Sequence, residues 1–150
     1  MMENQLTNTN VSPQETIVRL IISPKNLEAD GSLKPNFITL RKDEEGISFL
    51  RHDLIGRDEI INRGNARANM YAKPNKPQKL YGWAESIAET IQAISPETIV
   101  LKIDDPTNSP EHVTICFKTE TGVLTHGIIT DIRILYLFEK IRQVLKVVVV

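Results

Sequence analysis

A buried strand that runs directly into three ionisable residues is the feature that most constrains this chain. The stretch Gly46–Leu50 is mostly apolar, and Arg51–Asp53 follows at once with the sequence Arg-His-Asp. Strand interiors do not normally end in this way, because charged side chains resist burial unless they are paired. A short helix is predicted over Arg57–Arg63, with Gly64 after its last turn. The junction between this strand and this helix is therefore the first place to look for a functional site.

Two kinds of periodicity indicate the fold class. Runs of β-branched or alternating apolar residues predict strands, of which Thr16–Ile22 and His112–Lys118 are examples. A capping box at Ser86–Glu89 predicts a helix with Ser86 as its N-cap. A final helix is predicted after Thr130, and its buried stripe consists of Ile132, Leu135, Phe138, Ile141 and Leu145. These elements predict an α+β fold, with a mixed or mainly antiparallel sheet of about six strands and about three helices in a single domain.

The composition is ordinary for a soluble protein of 150 residues, with 41% apolar and 25% charged residues. The net charge of −1 provides no global field that would attract nucleic acid or an anionic membrane. Residues 1–14 are polar and predict a flexible lead-in, whereas residues 15–150 predict the single α+β domain. We expect a cytoplasmic protein, because the chain has neither a membrane-spanning apolar stretch nor a signal peptide pattern.

The sequence lacks the motifs of several enzyme classes: phosphate-loop NTPases, Rossmann dehydrogenases, zincins and α/β-hydrolases. Its single cysteine, Cys116, excludes an intrachain disulfide and a cysteine-based zinc site, and we expect it to be buried as a small apolar residue. The three histidines, His52, His112 and His126, do not have the spacing of a metal site. The sequence therefore predicts no metal and no cofactor.

Arg51, His52 and His112 are the candidate catalytic residues. An arginine at a strand end can hold a phosphate or carboxylate with two donors, and His52 can transfer protons while Asp53 orients it. His112 follows a loop with two prolines, so we expect its position to be rigid. The alternatives are structural: a salt-bridged strand end at Arg51–Asp53, and a hydrogen bond from His112 to a loop carbonyl.

Residues 51–79 carry an excess of basic over acidic side chains, whereas the rest of the chain is acidic. Such a segment can contact RNA, DNA or an acidic protein surface, and the neighbouring aromatic residues favour a binding surface. The alternative is a solvated helix and loop whose charges pair with the acidic remainder. The predicted binding residues are Arg51, Arg57, Arg63, Arg67, Lys73, Lys76, Tyr81 and Trp83.

Four consecutive valines occupy positions 147–150. Because β-branched residues are poor helix formers and an exposed run of them risks aggregation, this stretch is expected to be covered. It either adds an edge strand to the sheet of its own chain or docks into a partner.

Three pieces of the chain, taken in order, resemble a family of small uncharacterised bacterial α+β proteins. They are Ile47–Arg51 with Gly64 downstream, Gly82–Glu85 with Ile91, and Asp105–Pro106 with Pro110–Ile115. The family pattern tends to have alanine after the histidine, and Val113 departs from it. The resemblance spans Thr16–Ile115 and carries no activity. It implies a bacterial protein that acts beside neighbouring gene products, and it points to Ser48, Arg51, Gly82 and His112.

These observations predict a small cytoplasmic binding or accessory subunit of a larger bacterial protein or ribonucleoprotein assembly. Its contact surfaces would be the basic segment 51–79 and the apolar C-terminus, and its partner a protein or a second copy rather than a membrane. Nucleic acid is an alternative partner for the basic segment. The alternative function is a small enzyme acting on a nucleotide or nucleic acid, with Arg51 binding phosphate and His52 or His112 as the acid/base. That alternative requires Arg51 and His112 to meet in one cleft.

Overall fold

The computed structural model describes residues 11–40, 44–119, 122–123 and 132–150, which form seven strands and three α-helices. The strands are β1 (Thr16–Ser23), β2 (Ile47–Arg51), β3 (Lys79–Ile87), β4 (Ile99–Asp105), β5 (Ser109–Thr119), β6 (Gly122–Val123) and β7 (Lys146–Val149). The helices are α1 (His52–Tyr71), α2 (Ala88–Gln92) and α3 (Ile132–Val144), with a 3₁₀ helix at Pro35–Phe37.

The described strands pair only in antiparallel fashion. Six of them follow the order β4-β5-β2-β1-β3-β7, and the two-residue β6 pairs with the end of β5. The predicted α+β class and the mainly antiparallel sheet are therefore confirmed. No helix in the described part of the chain is long and apolar enough to cross a membrane.

One face of the sheet carries the main hydrophobic core. Alternation along each strand directs every second side chain to this face, where α2, α3 and the 3₁₀ helix cover it. Its members include Ile17, Ile21, Ile47, Phe49, Ile99, Ile115 and Phe117 from the strands and Ile91, Leu137, Phe138 and Ile141 from the helices. Each such side chain contributes about 1.5–3 kcal/mol when it is fully buried, so this face supplies most of the stabilisation.

Helix α1 covers the other face and packs mainly on β1 and β3. A smaller apolar cluster forms beneath it from Val18, Leu50, Ile60 and Trp83. The helix packs less on β2, the strand that separates β1 from β5. An opening therefore remains between the second half of α1 and the β2–β5 part of the sheet.

Helix α1 is longer than predicted, since it continues through Gly64 to Tyr71. Gly64 is buried, and a side chain there would collide with Leu80 on β3. The prediction that the helix ends at Gly64 was wrong, because this glycine allows close packing of helix on sheet rather than a cap. The helical backbone of α1 is instead kinked near its start, at Gly56. The φ of 80° at this residue is accessible to glycine but strained for other residues.

The predicted start of α2 was also wrong. Strand β3 runs through Ser86 to Ile87, and the Ser86 hydroxyl donates to the Ile87 carbonyl instead of capping a helix. The first amides of α2 are satisfied by the segment before β1, because Ala88 N donates to Glu15 O and Glu89 N to Pro13 O, both at 2.8 Å. Residues 11–14, which were predicted as part of the flexible lead-in, thus lie beside α2 and lead into β1.

Helix α3 is rotated relative to the predicted stripe. Phe138, Ile141 and Leu145 are buried as predicted. Ile132 and Leu135, however, are 79% and 44% exposed, and Ile134 and Leu137 are buried in their place. Thr130, after which the final helix was predicted, and His126 lie outside the described residues.

Candidate functional site

The strand-to-helix junction that marks the sequence is a buried ion pair. Arg51 ends β2 with 4% of its surface exposed, and its Nε and Nη2 atoms donate to the two carboxylate oxygens of Glu15. Its Nη1 atom donates to the Pro110 carbonyl oxygen at 3.0 Å. A buried charge is tolerated when it is paired and hydrogen-bonded in this way. Arg51 therefore joins the start of β1 to β2 and β5. The sequence had predicted Arg51 as a residue of a binding surface, but in the structure it is buried.

The next two residues fasten the same junction. Asp53 accepts a hydrogen bond from the Thr16 backbone N–H at 3.2 Å. The His52 ring packs edge-on against Trp83, with 5.9 Å between ring centroids. His52 Nδ1 lies 3.9 Å from Asp53 Oδ1, which is too long for the hydrogen bond that would orient a proton-transfer residue. The contacts of this junction are therefore those of the structural alternative.

His112 and Arg51 lie on opposite faces of the sheet. Arg51 is opposite Ile17 of the main core, whereas His112 is opposite Leu50, which packs under α1. Neighbouring residues of a strand point to opposite faces, so the two side chains are separated by the sheet itself. They do not meet in one cleft, which is the condition that the enzyme hypothesis had set.

His112 instead lines a cleft of about 170 Å³ beside α1, where β1 pairs with β2 only at Ile17 and Val18, so that residues from both faces of the sheet line it. Apolar residues of β1 and β2 contribute to its floor, among them Val18, Leu20 and Leu50. Arg63, Arg67 and Tyr71 of α1 line one wall. The remaining polar lining consists of Arg19, Lys25, Asn26, Glu44, Ser48 and His112. We call this site the cationic cleft, because its described lining contains Arg19, Lys25, Arg63 and Arg67 but one carboxylate, that of Glu44.

Two of the four cations in the cationic cleft are held by other groups. Arg19 donates to the carbonyl oxygens of Phe37 and Ser48, at 3.1 and 2.8 Å. Arg63 is paired with Glu59 and Glu111, each at 3.1 Å. These donors of the two guanidinium groups are therefore occupied, and the charge of Arg63 is offset by its two carboxylate partners.

Lys25 and Arg67 are the available cations of the cleft. Lys25 Nζ lies 4.3 Å from the centre of the Tyr71 ring. Arg67 is exposed on α1. Neither forms an ion pair with another residue in the described part of the chain. Their charges are accordingly free to meet a ligand.

Glu111 ties Arg63 to the neighbourhood of His112. Burial raises the pKa of Glu111, but the hydrogen bond from its own backbone amide and the interactions with Arg63 lower the pKa by more. The pKa of Glu111 therefore lies below its ordinary value. Burial lowers the pKa of Arg63, but the carboxylates of Glu59 and Glu111 outweigh this effect and raise the pKa above its ordinary value. His112 Nε2 lies 3.8 Å from Glu111 Oε1. Glu111 thus remains ionised at neutral pH and holds the arginine wall in place.

The other predicted binding residues do not form one surface. Trp83 is only 1% exposed, with its indole N–H donating to Glu85, so its prediction as a surface residue is corrected. Arg57 lies over the Trp83 ring at 5.2 Å, and Tyr81 packs against the main core. Lys73 and Lys76 are exposed in the turn after α1. Linear charge counting missed this separation, because burial and helical phase distribute consecutive basic residues over different parts of the fold.

Sequence reasoning also missed residues outside the basic segment. Glu15, Arg19 and Lys25 complete the junction and the cleft, yet all three precede residue 51. The alternation of β1 could have indicated that Arg19 belongs to an inward face. No local pattern distinguishes Glu15 or Lys25 from an ordinary surface charge.

The described residues contain no group of three His, Cys, Asp or Glu side chains arranged to hold a metal ion. Cys116 is buried, as expected, and burial is the main cause that raises the pKa of its thiol. Asp104 and Glu45 raise it further, whereas Lys102 opposes them. The thiol therefore remains protonated and unreactive at neutral pH.

Strand β7 with Val150 forms a second candidate surface, which we call the β7 edge. Of the two alternatives predicted for the valines, the structure shows the edge strand, because residues 146–149 pair with β3 at the end of the sheet. Val147, Val149 and Val150 are 41%, 58% and 45% exposed. Val147 and Val149 are opposite Ala84 and Gly82, so they project on the same side of the sheet as the main core, while Val148 packs with the Trp83 cluster.

Comparison of the chain with family models, with curated proteins and with solved structures gave no match.

Proposed function

We propose that the protein is a non-catalytic binding subunit that assembles through the β7 edge, with a second copy of the chain as its first partner. The observation that carries the proposal is an edge strand whose exposed side chains are valines. Within the described residues β7 pairs with β3 alone. Its outer backbone N–H and C=O groups therefore provide a template for another strand.

The sequence of the β7 edge is self-complementary in antiparallel orientation. If two copies pair about Val148, each Val147 lies opposite Val149 of the partner subunit. Cross-strand pairs of β-branched residues stabilise such ladders. The single charge, Lys146, would then lie opposite Val150 of the partner subunit, whereas parallel pairing would place the two lysines together. The antiparallel arrangement also gives the two-fold symmetry that is commonest among homodimers.

The neighbouring end of α3 adds to the apolar surface. Val144 is 37% exposed and lies two residues before β7 begins. A surface made only of these residues is small, and small interfaces are typical of reversible association. We therefore expect a dimer that dissociates on dilution.

The direct test introduces a charge on the β7 edge. Val149→Lys should abolish concentration-dependent dimerisation in sedimentation velocity over about a hundredfold range of concentration. In the paired strands each new lysine would lie opposite the apolar Val147 of the partner subunit. Met70→Lys is the matched control, since Met70 is 76% exposed on α1, a helix that packs mainly on β1 and β3.

The outcomes separate the occupants of the edge. A wild-type dimer that is lost in Val149→Lys and kept in Met70→Lys supports the proposal. A wild-type monomer at every concentration overturns self-pairing. If a purified partner protein then binds the monomer and is released by Val149→Lys, the occupant is that protein instead. If the edge binds neither, β7 only completes the sheet.

A further inference from the structure

We propose that the cationic cleft binds the phosphate group of a small phosphorylated molecule. This site is separate from the β7 edge, so the proposal does not depend on the proposed assembly. Its donors come from three parts of the fold: Lys25 from the loop after β1, Arg67 from α1 and His112 from β5.

The available donors suit a phosphate better than a carboxylate. Arg67 offers a planar fork of N–H donors, and Lys25 offers a mobile ammonium group. A phosphate has three terminal oxygens and up to two negative charges, so it can meet donors from several directions at once. Charge-assisted hydrogen bonds of this kind are among the strongest in proteins.

The other two arginines of the cleft contribute unequally to this preference. Arg19 donates to uncharged carbonyl oxygens, whereas the charge of Arg63 is offset by Glu59 and Glu111. A cleft lined by one sign of charge with apolar walls concentrates counter-ions. Glu44 is the only carboxylate among the described residues of the lining, so this part of the cleft favours an anion.

The cleft also has a place for the uncharged part of the ligand. Val18, Leu20 and Leu50 line it without polar side chains. Ligand sites commonly combine an apolar lining with a few polar groups that fix orientation. A phosphate monoester with a flat or apolar body therefore fits this chemistry better than free phosphate.

A nucleic-acid strand fits less well. Binding of a phosphate backbone uses a row of cations along its path. The basic residues around α1 do not form such a row, since Arg51 is buried and Arg57 lies over Trp83. The chain as a whole has a net charge of −1. These facts favour a single phosphate group.

The proposal is tested by calorimetric titration of the full chain with AMP, inorganic phosphate, acetate and a single-stranded oligonucleotide. AMP should bind more tightly than phosphate, and phosphate more tightly than acetate. Arg67→Ala and Lys25→Ala should each raise the Kd for AMP about tenfold, the effect of losing one charge-assisted hydrogen bond. Lys73→Ala is the control, because it removes the same charge from an exposed position outside the cleft lining.

Absence of AMP and phosphate binding would overturn the proposal, as would an equal loss of affinity in Lys73→Ala. Tighter binding of the oligonucleotide than of AMP would replace a small ligand with nucleic acid, and equal binding of acetate would remove the phosphate preference. Equal affinity for AMP and phosphate would overturn the role of the apolar floor. Circular dichroism of each variant shows that a loss of binding is not a loss of folding. Val149→Lys should bind AMP like the wild type, which keeps this test distinct from that of the β7 edge.

Discussion

Gly82 of β3 and Val148 of β7 approach so closely that no side chain fits between them. A Cβ atom at position 82 would overlap the Val148 carbonyl oxygen and crowd the backbone of Val149. The contact belongs to the ladder in which Gly82 is opposite Val149. A glycine at this position is therefore a condition for docking β7 onto the sheet.

Replacing Gly82 should displace β7. We expect Gly82→Ala to lower the free energy of unfolding by about 1–3 kcal/mol, because overlap with backbone atoms cannot be relieved by a rotamer change. Urea denaturation measures the loss, and hydrogen exchange of the amides of residues 147–149 locates it. Gly64→Ala is the control, since it meets only the flexible side chain of Leu80 and should leave exchange in β7 unchanged. Full protection of β7 in Gly82→Ala would contradict the prediction.

The ion pair between Arg51 and Glu15 should be important for stability. Arg51→Met leaves the Glu15 carboxylate buried without its partner, which costs about 3–5 kcal/mol. The double variant Glu15→Gln/Arg51→Met should recover part of this loss, because it removes the unpaired charge. Chemical denaturation of the two single variants and the double variant gives the coupling energy.

The matched control for this pair is Glu139→Gln. It breaks the pair between Glu139 and Arg142 on α3, where Glu139 is 44% exposed. Exposed pairs contribute about 0.2–1 kcal/mol, so its effect should be small. Similar losses in Arg51→Met and Glu139→Gln would show that burial does not set the strength of the Arg51 pair.

Acid should weaken the wall of the cationic cleft. The lowered pKa of Glu111 means that its charge stabilises the folded state above the ordinary glutamate value of 4.5. This contribution is lost as the pH falls through the lower value of the folded state. The wild type should therefore lose more unfolding free energy between pH 7 and pH 3 than Glu111→Gln does, by about 0.5–1 kcal/mol. Identical losses in urea titrations would exclude this role of Glu111.

Cys116 should resist thiol reagents in the folded protein. Burial raises the pKa of its thiol, so the reactive thiolate is scarce at neutral pH. Because the pKa is raised, the neutral thiol contributes its full stabilisation at pH values below the ordinary thiol pKa. This contribution is lost as the pH rises through the higher pKa of the folded state. Labelling with a chromogenic disulfide at pH 7 should be slow in buffer and rapid in guanidinium chloride. Cys116→Ala gives the background rate, and rapid labelling of the native chain would contradict the assignment.

Local patterns were sufficient for the strands. The β-branched run of β1 and the alternation of β5 are properties of consecutive residues, and the structure has both strands. Helix boundaries were less predictable. The residues after Gly64 have little apolar periodicity, and α1 continues through them, burying only Gly64 and Ala68 in this part. The stripe of α3 was misplaced because a sheet packed against the helix decides which side faces inward.

The candidate sites divide in the same way. The chain's own residues predicted a covered stretch at positions 147–150, either as an edge strand or at a partner, together with a buried cysteine and an ionisable strand end at Arg51. Only the tertiary structure decided that Glu15 pairs with Arg51, that the sheet separates Arg51 from His112, and that Lys25 joins Arg67 in a cleft. Sequence determines side-chain chemistry and periodicity, because these depend on neighbours along the chain. Pairing, burial and the sharing of a cleft depend on residues brought together across the sheet, and these required the folded structure.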